Sequence, residues 1–187
     1  MADTEKVEQL LNRLKDKDQG DYDHSLRVQH IVEKILTGFS DMPDNEKSYI
    51  LIAAVLHDIG NLEISDHILK KSSRLDFDEY EEMQHHVEHA EKLIKDFDCF
   101  NSIKGMIRHH HENINGFGYP DGLEGDKIPL GARIIHVAEA FDSMTNVRKN
   151  RKNVFTKDRA FLELKEYAGR IYDKNVVEKF SAIYPEL

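Results

Sequence analysis

Cysteine is nearly absent from this chain, and so is any long apolar run. The single cysteine, Cys99, can form no internal disulfide, so a cytoplasmic setting is the simple expectation. No stretch approaches the roughly 20 apolar residues of a membrane span. The N-terminal segment MADTEKVEQLLNRLKDKDQG is charged throughout and holds no signal-peptide core. Basic residues are also in deficit. There are 26 Lys and Arg against 35 Asp and Glu, a net charge of -9. That balance argues against nucleic-acid and acidic-membrane partners. An anionic substrate would need local help from metal ions or a few placed arginines.

What the chain does have is enough length for a core and an unusual supply of imidazole. Its 187 residues are 40% hydrophobic, which fits one globular domain. Eleven are histidine, several of them in groups. Apolar residues recur at helical spacing along most of the chain, and no segment reads as a strand. Residues 3–16 predict a short amphipathic helix, followed by a polar break from Asp16 to Asp21. Residues 22–39 predict a second helix. Residues 45–58 predict the most apolar one, with Asp44 as its N-cap. Asp66-His67-Ile68-Leu69-Lys70 reads as a single turn. Asp76 opens a helix through a capping box with Glu79, and this helix is expected to run to about Phe97. Asn101 is expected to cap the next, ending near Glu112. Residues 113–126 hold four glycines and a proline and read as a loop. Helices are expected again at 129–146, from Thr156 to about Ala168 and at 173–183. The fold class is all-α, with residues 1–19 an N-terminal extension and 20–187 one domain. The extension is too short for a sensor, so control is expected through a partner or through expression.

The informative stretch is Ala53-Ala54-Val55-Leu56-His57-Asp58-Ile59-Gly60-Asn61. An apolar helix ends in two adjacent residues able to bind metal, where burial without partners would be costly. His85, His86 and His89 share the helix that follows Asp76, and spacing alone does not choose among them. His109-His110-His111-Glu112 ends another helix; neighbours there point about 100° apart, so all three imidazoles cannot reach one point. Glu139 and Asp142 lie i,i+3 on an otherwise apolar helix and call for a metal or an arginine. Arg148 and Arg151, also i,i+3, would suit a phosphate clamp; the bland alternative is a solvated basic segment. His24 alone would be an ordinary helix histidine. Together these residues offer imidazoles and carboxylates with no thiolate pattern. That mixture suits a dinuclear Mn, Fe, Co or Zn site, of the kind that serves in-line displacement at phosphorus.

The order of motifs resembles the HD-GYP family, cyclic di-GMP phosphodiesterases within the HD metal-dependent hydrolases. The matching strings include His24-Ser25-Leu26-Arg27-Val28, Leu56-His57-Asp58-Ile59-Gly60 and Met83-Gln84-His85-His86. They continue with His110-His111-Glu112, Gly116-Phe117-Gly118-Tyr119-Pro120-Asp121-Gly122-Leu123 and Asp142-Ser143-Met144-Thr145. The resemblance spans roughly residues 22–184. It implies two divalent ions, Fe or Mn ahead of Zn, Co or Ni. His24, His57, Asp58 and Glu139 would hold one, and Asp58, His86, His110 and His111 the other, with Asp58 shared. It assigns Asp142, Arg148 and Arg151 to the dinucleotide. It makes Gly118, Tyr119 and Pro120 a wall of the site and a contact for diguanylate cyclase (GGDEF) domains. The implied chemistry is hydrolysis of cyclic di-GMP to pGpG and GMP by a monomer or homodimer. Asp58 and Asn61 stand at the reacting centre.

The chain departs from that pattern at four places. Asn61 stands where the family keeps a lysine, and Glu139 where it keeps an aspartate. Gly20 occupies the place of a third-metal glutamate, and Ser72 that of a proline. The first two motivate a different class of function, a weakly active or inactive regulator that binds the dinucleotide or a cyclase. Hydrolysis of another cyclic dinucleotide or nucleotide is a third alternative.

Overall fold

A computed structural model describes residues 2–147 and 154–187. Among these residues every regular element is helical, and two isolated bridges, Asn115 with Glu124 and Ala168 with Tyr172, stand in for a sheet. The long helices are α1 (Ala2–Lys17), α2 (Gln19–Leu36), α3 (Asp44–Leu56) and α8 (Leu130–Thr145). Shorter ones are α4 (Asp66–Leu69), α5 (Phe77–Gln84), α6 (His86–Ile94), α7 (Phe100–Arg108), α9 (Lys157–Glu166) and α10 (Lys174–Ile183). A 3-10 turn, Ile59–Leu62, follows α3 and packs against α6.

Helices α2, α3, α7 and α8 pack on one another, and their apolar faces make the core. Val28, Ile50, Leu56, Ile107 and Ile134 are fully buried there. Helix α1 adds Leu10 and Leu14 to the same cluster. Its last turn is tied down by Lys17, whose Nζ donates to the carbonyls of Leu62 (2.7 Å) and Ile64 (2.6 Å). These carbonyls lie at and beyond the end of the 3-10 turn, so the lysine fastens the α1–α2 corner to the segment after His57-Asp58.

Several expected boundaries move, each for a local reason. The polar break at 16–21 shrinks to Asp18, whose carboxylate accepts from the Gly20 and Asp21 amides and starts α2 at once. Pro43, not Asp44, occupies the cap position of α3. Cys99 precedes α7, so Asn101 lies inside it, and the helix closes at Arg108 instead of near Glu112. The helix expected from Asp76 to Phe97 is two, joined at His85. The capping box at its start is formed: Asp76 accepts from the Glu79 amide (3.0 Å), and Glu79 from the Asp76 amide (2.8 Å).

Candidate metal centre

Three of the four buried histidines sit just beyond the end of a helix. Carbonyls in the last turn of a helix lack their usual amide donors. The ring Nδ1 of His57 meets the carbonyl of Ala54 at 2.8 Å, His86 that of Met83 at 2.7 Å, and His110 that of Ile107 at 2.6 Å. Each contact runs back three residues. It satisfies a carbonyl, holds a hydrogen on Nδ1, and turns Nε2 inward. His24 reaches the same tautomer by another route: its Nδ1 donates to Asp142 Oδ2 at 2.6 Å. The break at His85 therefore has a use. It ends one helix where His86 can turn its ring into the core.

The four Nε2 atoms converge on Asp58, at the start of the 3-10 turn. Oδ2 of Asp58 lies 3.6 Å from His24 Nε2 and 3.4 Å from His57 Nε2. Oδ1 lies 3.5 Å from His86 Nε2 and 3.9 Å from His110 Nε2. The carboxylate thus offers one oxygen to each of two imidazole pairs. His24 and His57 are 3.3 Å apart at Nε2, and His86 and His110 are 3.5 Å apart. Metal–nitrogen bonds of about 2.1 Å would separate neighbouring donors by about 3.0–3.4 Å, so these spacings suit ligands sharing an ion. Glu139 faces both groups. Its carboxylate is 4.0 Å from His110 Nε2 and 3.7 Å from His111 Nδ1. Within each of two sets, Asp58-His86-His110-His111 and His24-His57-Glu139, the donor atoms all lie within 4.8 Å of one another. Of the three histidines that spacing left open at 85–89, His86 joins this centre. His85 is exposed and pairs with Glu88.

Three of the imidazoles and the shared carboxylate have protonation states that suit ligands. Burial pulls His86, His110 and His111 below the ordinary imidazole value, well below for the last two, so they are neutral at physiological pH. Burial alone would raise the Asp58 carboxyl, but His57, His86 and His24 around it hold it well below its usual range. At His57 burial is outweighed by Asp58 and by Glu139, and the imidazole rises to about 9. A buried anionic pocket that draws a proton onto one of its own rings is a pocket suited to cations.

Around the donors lies a layer of supports that spacing did not reveal. Asp142 is 1% exposed. Besides His24 it accepts from Arg27 Nε (2.7 Å) and Nη2 (3.1 Å) and from Asn146 Nδ2 (2.9 Å). It stands behind His24, where the resemblance had assigned it to the dinucleotide. Arg27 had a visible signal, since it falls three residues after His24 on the same helix. Asn61 is also buried, and its Nδ2 donates to Asp21 Oδ2 at 3.0 Å. Its Oδ1 makes no hydrogen bond among the described residues. Arg148 and Arg151 lie outside the described residues.

The glycine-rich loop closes one side. Gly118 passes so near the chain at 111–113 that a Cβ there would lie 2.3 Å from the Asn113 amide and 2.5 Å from the His111 carbonyl. Tyr119 stacks on His111, with ring centroids 4.7 Å apart. Glu112, fully buried, accepts from the amides of Asp121 (2.8 Å) and Leu123 (3.1 Å). Asp121 in turn receives both Nε and Nη2 of Arg108 at 2.8 Å and lies 2.9 Å from His109 Nε2. His109, the third histidine of its run, therefore pins the loop and leaves the centre to its two neighbours.

The HD domain family model matches residues 8–176. The chain belongs to the HD domain family. The resemblance drawn from the motifs is borne out at that level. Among curated relatives, it is 32% identical over 176 residues to the cyclic di-GMP phosphodiesterase response regulator RpfG of Xanthomonas campestris, covering 93% of this chain and 46% of that protein. It is 36% identical over 128 residues to 3'3'-cGAMP-specific phosphodiesterase 3 of Vibrio cholerae, covering 68% of this chain and 28% of the relative. It is 33% identical over 186 residues to a cyclic di-GMP phosphodiesterase of Thermotoga maritima, covering 97% and 50%. The HD-domain chain thus spans half or less of the length of these relatives. The fold also matches solved structures. A cyclic GMP-AMP phosphodiesterase of V. cholerae superposes with a TM-score of 0.71 at 18% identity, covering 94% of this chain and 47% of that one. The HD domain of the L. monocytogenes phosphodiesterase PgpH, solved with cyclic-di-AMP, gives 0.64 at 13% identity over 95% of this chain and 94% of that one. No helix among the described residues is long and apolar enough to cross a membrane.

Proposed function

We propose that this HD domain is a dinuclear phosphodiesterase that opens cyclic di-GMP to linear pGpG and can carry the product on to GMP. What carries this reading is Asp58, whose two carboxylate oxygens each face a different pair of imidazole Nε2 atoms. His24, His57, Asp58 and Glu139 would hold one ion, and Asp58, His86, His110 and His111 the other. The mixture of imidazole and carboxylate without thiolate suits Fe or Mn ahead of Zn, Co or Ni. When bound, the pair would supply Lewis-acid stabilisation of charge on the phosphate oxygens and an acidified nucleophile. In the balanced reaction one water is consumed: its oxygen joins phosphorus, the 3'-oxygen leaves, and the proton goes to that oxygen. The residues of the chain set the geometry. Helix-end carbonyls and Asp142 fix the four imidazole tautomers, and Tyr119 covers His111 on the loop side. The exposed Phe117 at the loop tip would meet a GGDEF domain. The test is hydrolysis of cyclic di-GMP by Fe- or Mn-loaded protein, with Asp58→Ala as the control. Full loading without turnover refutes the proposal.

One observation favours a second reading, a cyclic-dinucleotide-binding regulator with little turnover. Where a lysine would bring positive charge to the phosphate, Asn61 directs its amide to Asp21 and leaves only an acceptor oxygen uncommitted. Binding of cyclic di-GMP with no hydrolysis by the loaded protein selects that reading. A panel including 3'3'-cGAMP and cyclic di-AMP separates both from an HD hydrolase with another substrate.

A further inference from the structure

Helix α5 carries large side chains that the fold does not cover. Phe77 is 80% exposed and Tyr80 52% exposed. They stand at i,i+3 with Met83 three residues further on, so the three share one side of the helix. Together with Arg74, Leu75 and Asp76 they line a cavity of about 760 Å³. Asp76 is committed to its capping box. Arg74 makes no ion pair among the described residues. The cavity therefore presents two aromatic faces, a thioether and one uncommitted guanidinium.

This surface lies on the helix that ends beside His86. Met83, at its inner end, gives its carbonyl to the Nδ1 of His86. On the far side of that imidazole, Tyr119 stacks on His111 and stands edge-on to His86, with ring centroids 6.4 Å apart. A diester held at the imidazoles would direct an attached nucleoside along α5 in one of its orientations. Aromatic faces take any base by stacking, whereas a guanidinium matches the O6 and N7 edge of guanine in bidentate fashion.

Resting on the cyclic-dinucleotide reading above, we propose that this cavity is a nucleobase subsite. Phe77 and Tyr80 stack on one purine of the bound dinucleotide, and Arg74 hydrogen-bonds its guanine edge. The three residues thereby set base preference and dinucleotide affinity from outside the metal centre.

The test is calorimetric binding of a non-hydrolysable phosphorothioate analogue of cyclic di-GMP to the metal-loaded chain. Tyr80→Ala and Phe77→Ala should each weaken binding by about 5- to 10-fold, the low end expected for a stacked base on an open surface. Tyr80→Phe should keep the affinity of the wild type. Arg74→Ala should weaken the guanine analogue more than the corresponding adenine one. Metal content, measured in parallel, should match wild type in every variant. Unchanged affinity in both alanine variants overturns the subsite, as does a loss that tracks loss of metal, which would make α5 only a support for His86. A wild-type chain that binds no analogue overturns it too. Tyr80-dependent binding by a chain that never hydrolyses cyclic di-GMP upholds the subsite and refutes the phosphodiesterase reading, so the two are separable.

Discussion

Asp142→Asn is the sharpest single test of how the centre is built. The substitution keeps shape and removes charge at a side chain that is 1% exposed. The carboxylate now accepts from His24 Nδ1 at 2.6 Å and from Arg27 at 2.7 and 3.1 Å. A carboxamide has one oxygen, so it can serve His24 or Arg27 and must turn its NH2 toward the other. Charge-assisted hydrogen bonds of this kind contribute about 1.5–3 kcal/mol each. The Arg27 side chain is 38% exposed and can recover water, so the greater loss falls on His24. Partners that orient a ligating histidine typically contribute about 10- to 100-fold in metal affinity. We therefore expect metal at the His24-His57-Glu139 group to bind about 10- to 100-fold more weakly, with the other group little changed. Chelator competition on apo-protein, followed by metal analysis, reads this directly. Arg27→Gln should act in the same direction with a smaller effect, because the His24–Asp142 contact survives. Unchanged affinity for both ions, with loss of cyclic di-GMP binding alone, would refute the argument. It would return Asp142 to the substrate contact that the resemblance implied.

Asn61→Lys should raise kcat on cyclic di-GMP by on the order of 10², as a cation is restored beside the phosphate; steady-state rates with no gain would mean that Asp21 keeps the ammonium for itself. Glu112→Gln should lower stability by about 1–3 kcal/mol, since one oxygen cannot serve both the Asp121 and Leu123 amides; a lower Tm and faster loop amide exchange are the readouts. Gly118→Ala should cost about 3 kcal/mol, because the added methyl meets backbone and no flexible side chain, and thermal unfolding checks it. Apo-protein should also lose stability with acid. Burial holds His136 down at about 4 and holds His86, His110 and His111 low as well, so the unfolded chain takes up protons first. Their contribution is full above about pH 6.5, the unfolded imidazole value, and fades as pH falls toward 4. His57, raised to about 9, works the other way: its contribution is full below about 6.5 and is lost as pH rises through 9. A Tm–pH curve of apo-protein that stays flat between pH 6.5 and 4 would contradict this.

How much of the centre was legible in the sequence differs residue by residue. The helices showed themselves through apolar spacing, and Asp76 and Thr156 through their caps, because both signals act within a few residues along the chain. Three boundaries did not. Asp18, Pro43 and Cys99 occupy cap positions where sequence pointed to other residues or to a polar break, since propensity at a helix end is weak beside the packing of the two helices it joins. The break at His85 was hidden as well. Nothing in Met83-Gln84-His85-His86 forbids a continuous helix; the turn follows from drawing His86 into a site built by other segments.

The sequence by itself determined which residue types could meet: imidazoles and carboxylates in ordered motifs, little cysteine, and a glycine-rich loop. Set beside the family pattern it resembles, it also marked Asn61 as standing where a lysine is expected. Only the tertiary structure decided which atoms face one another. Spacing along a helix fixes direction around one axis, whereas the centre gathers donors from α2, α8 and the ends of three other helical segments. Helix-end carbonyls chose the tautomers, Asp58 divided its two oxygens between two imidazole pairs, and Asp142 settled behind His24. Those are distances between segments far apart in the chain, and packing alone sets them.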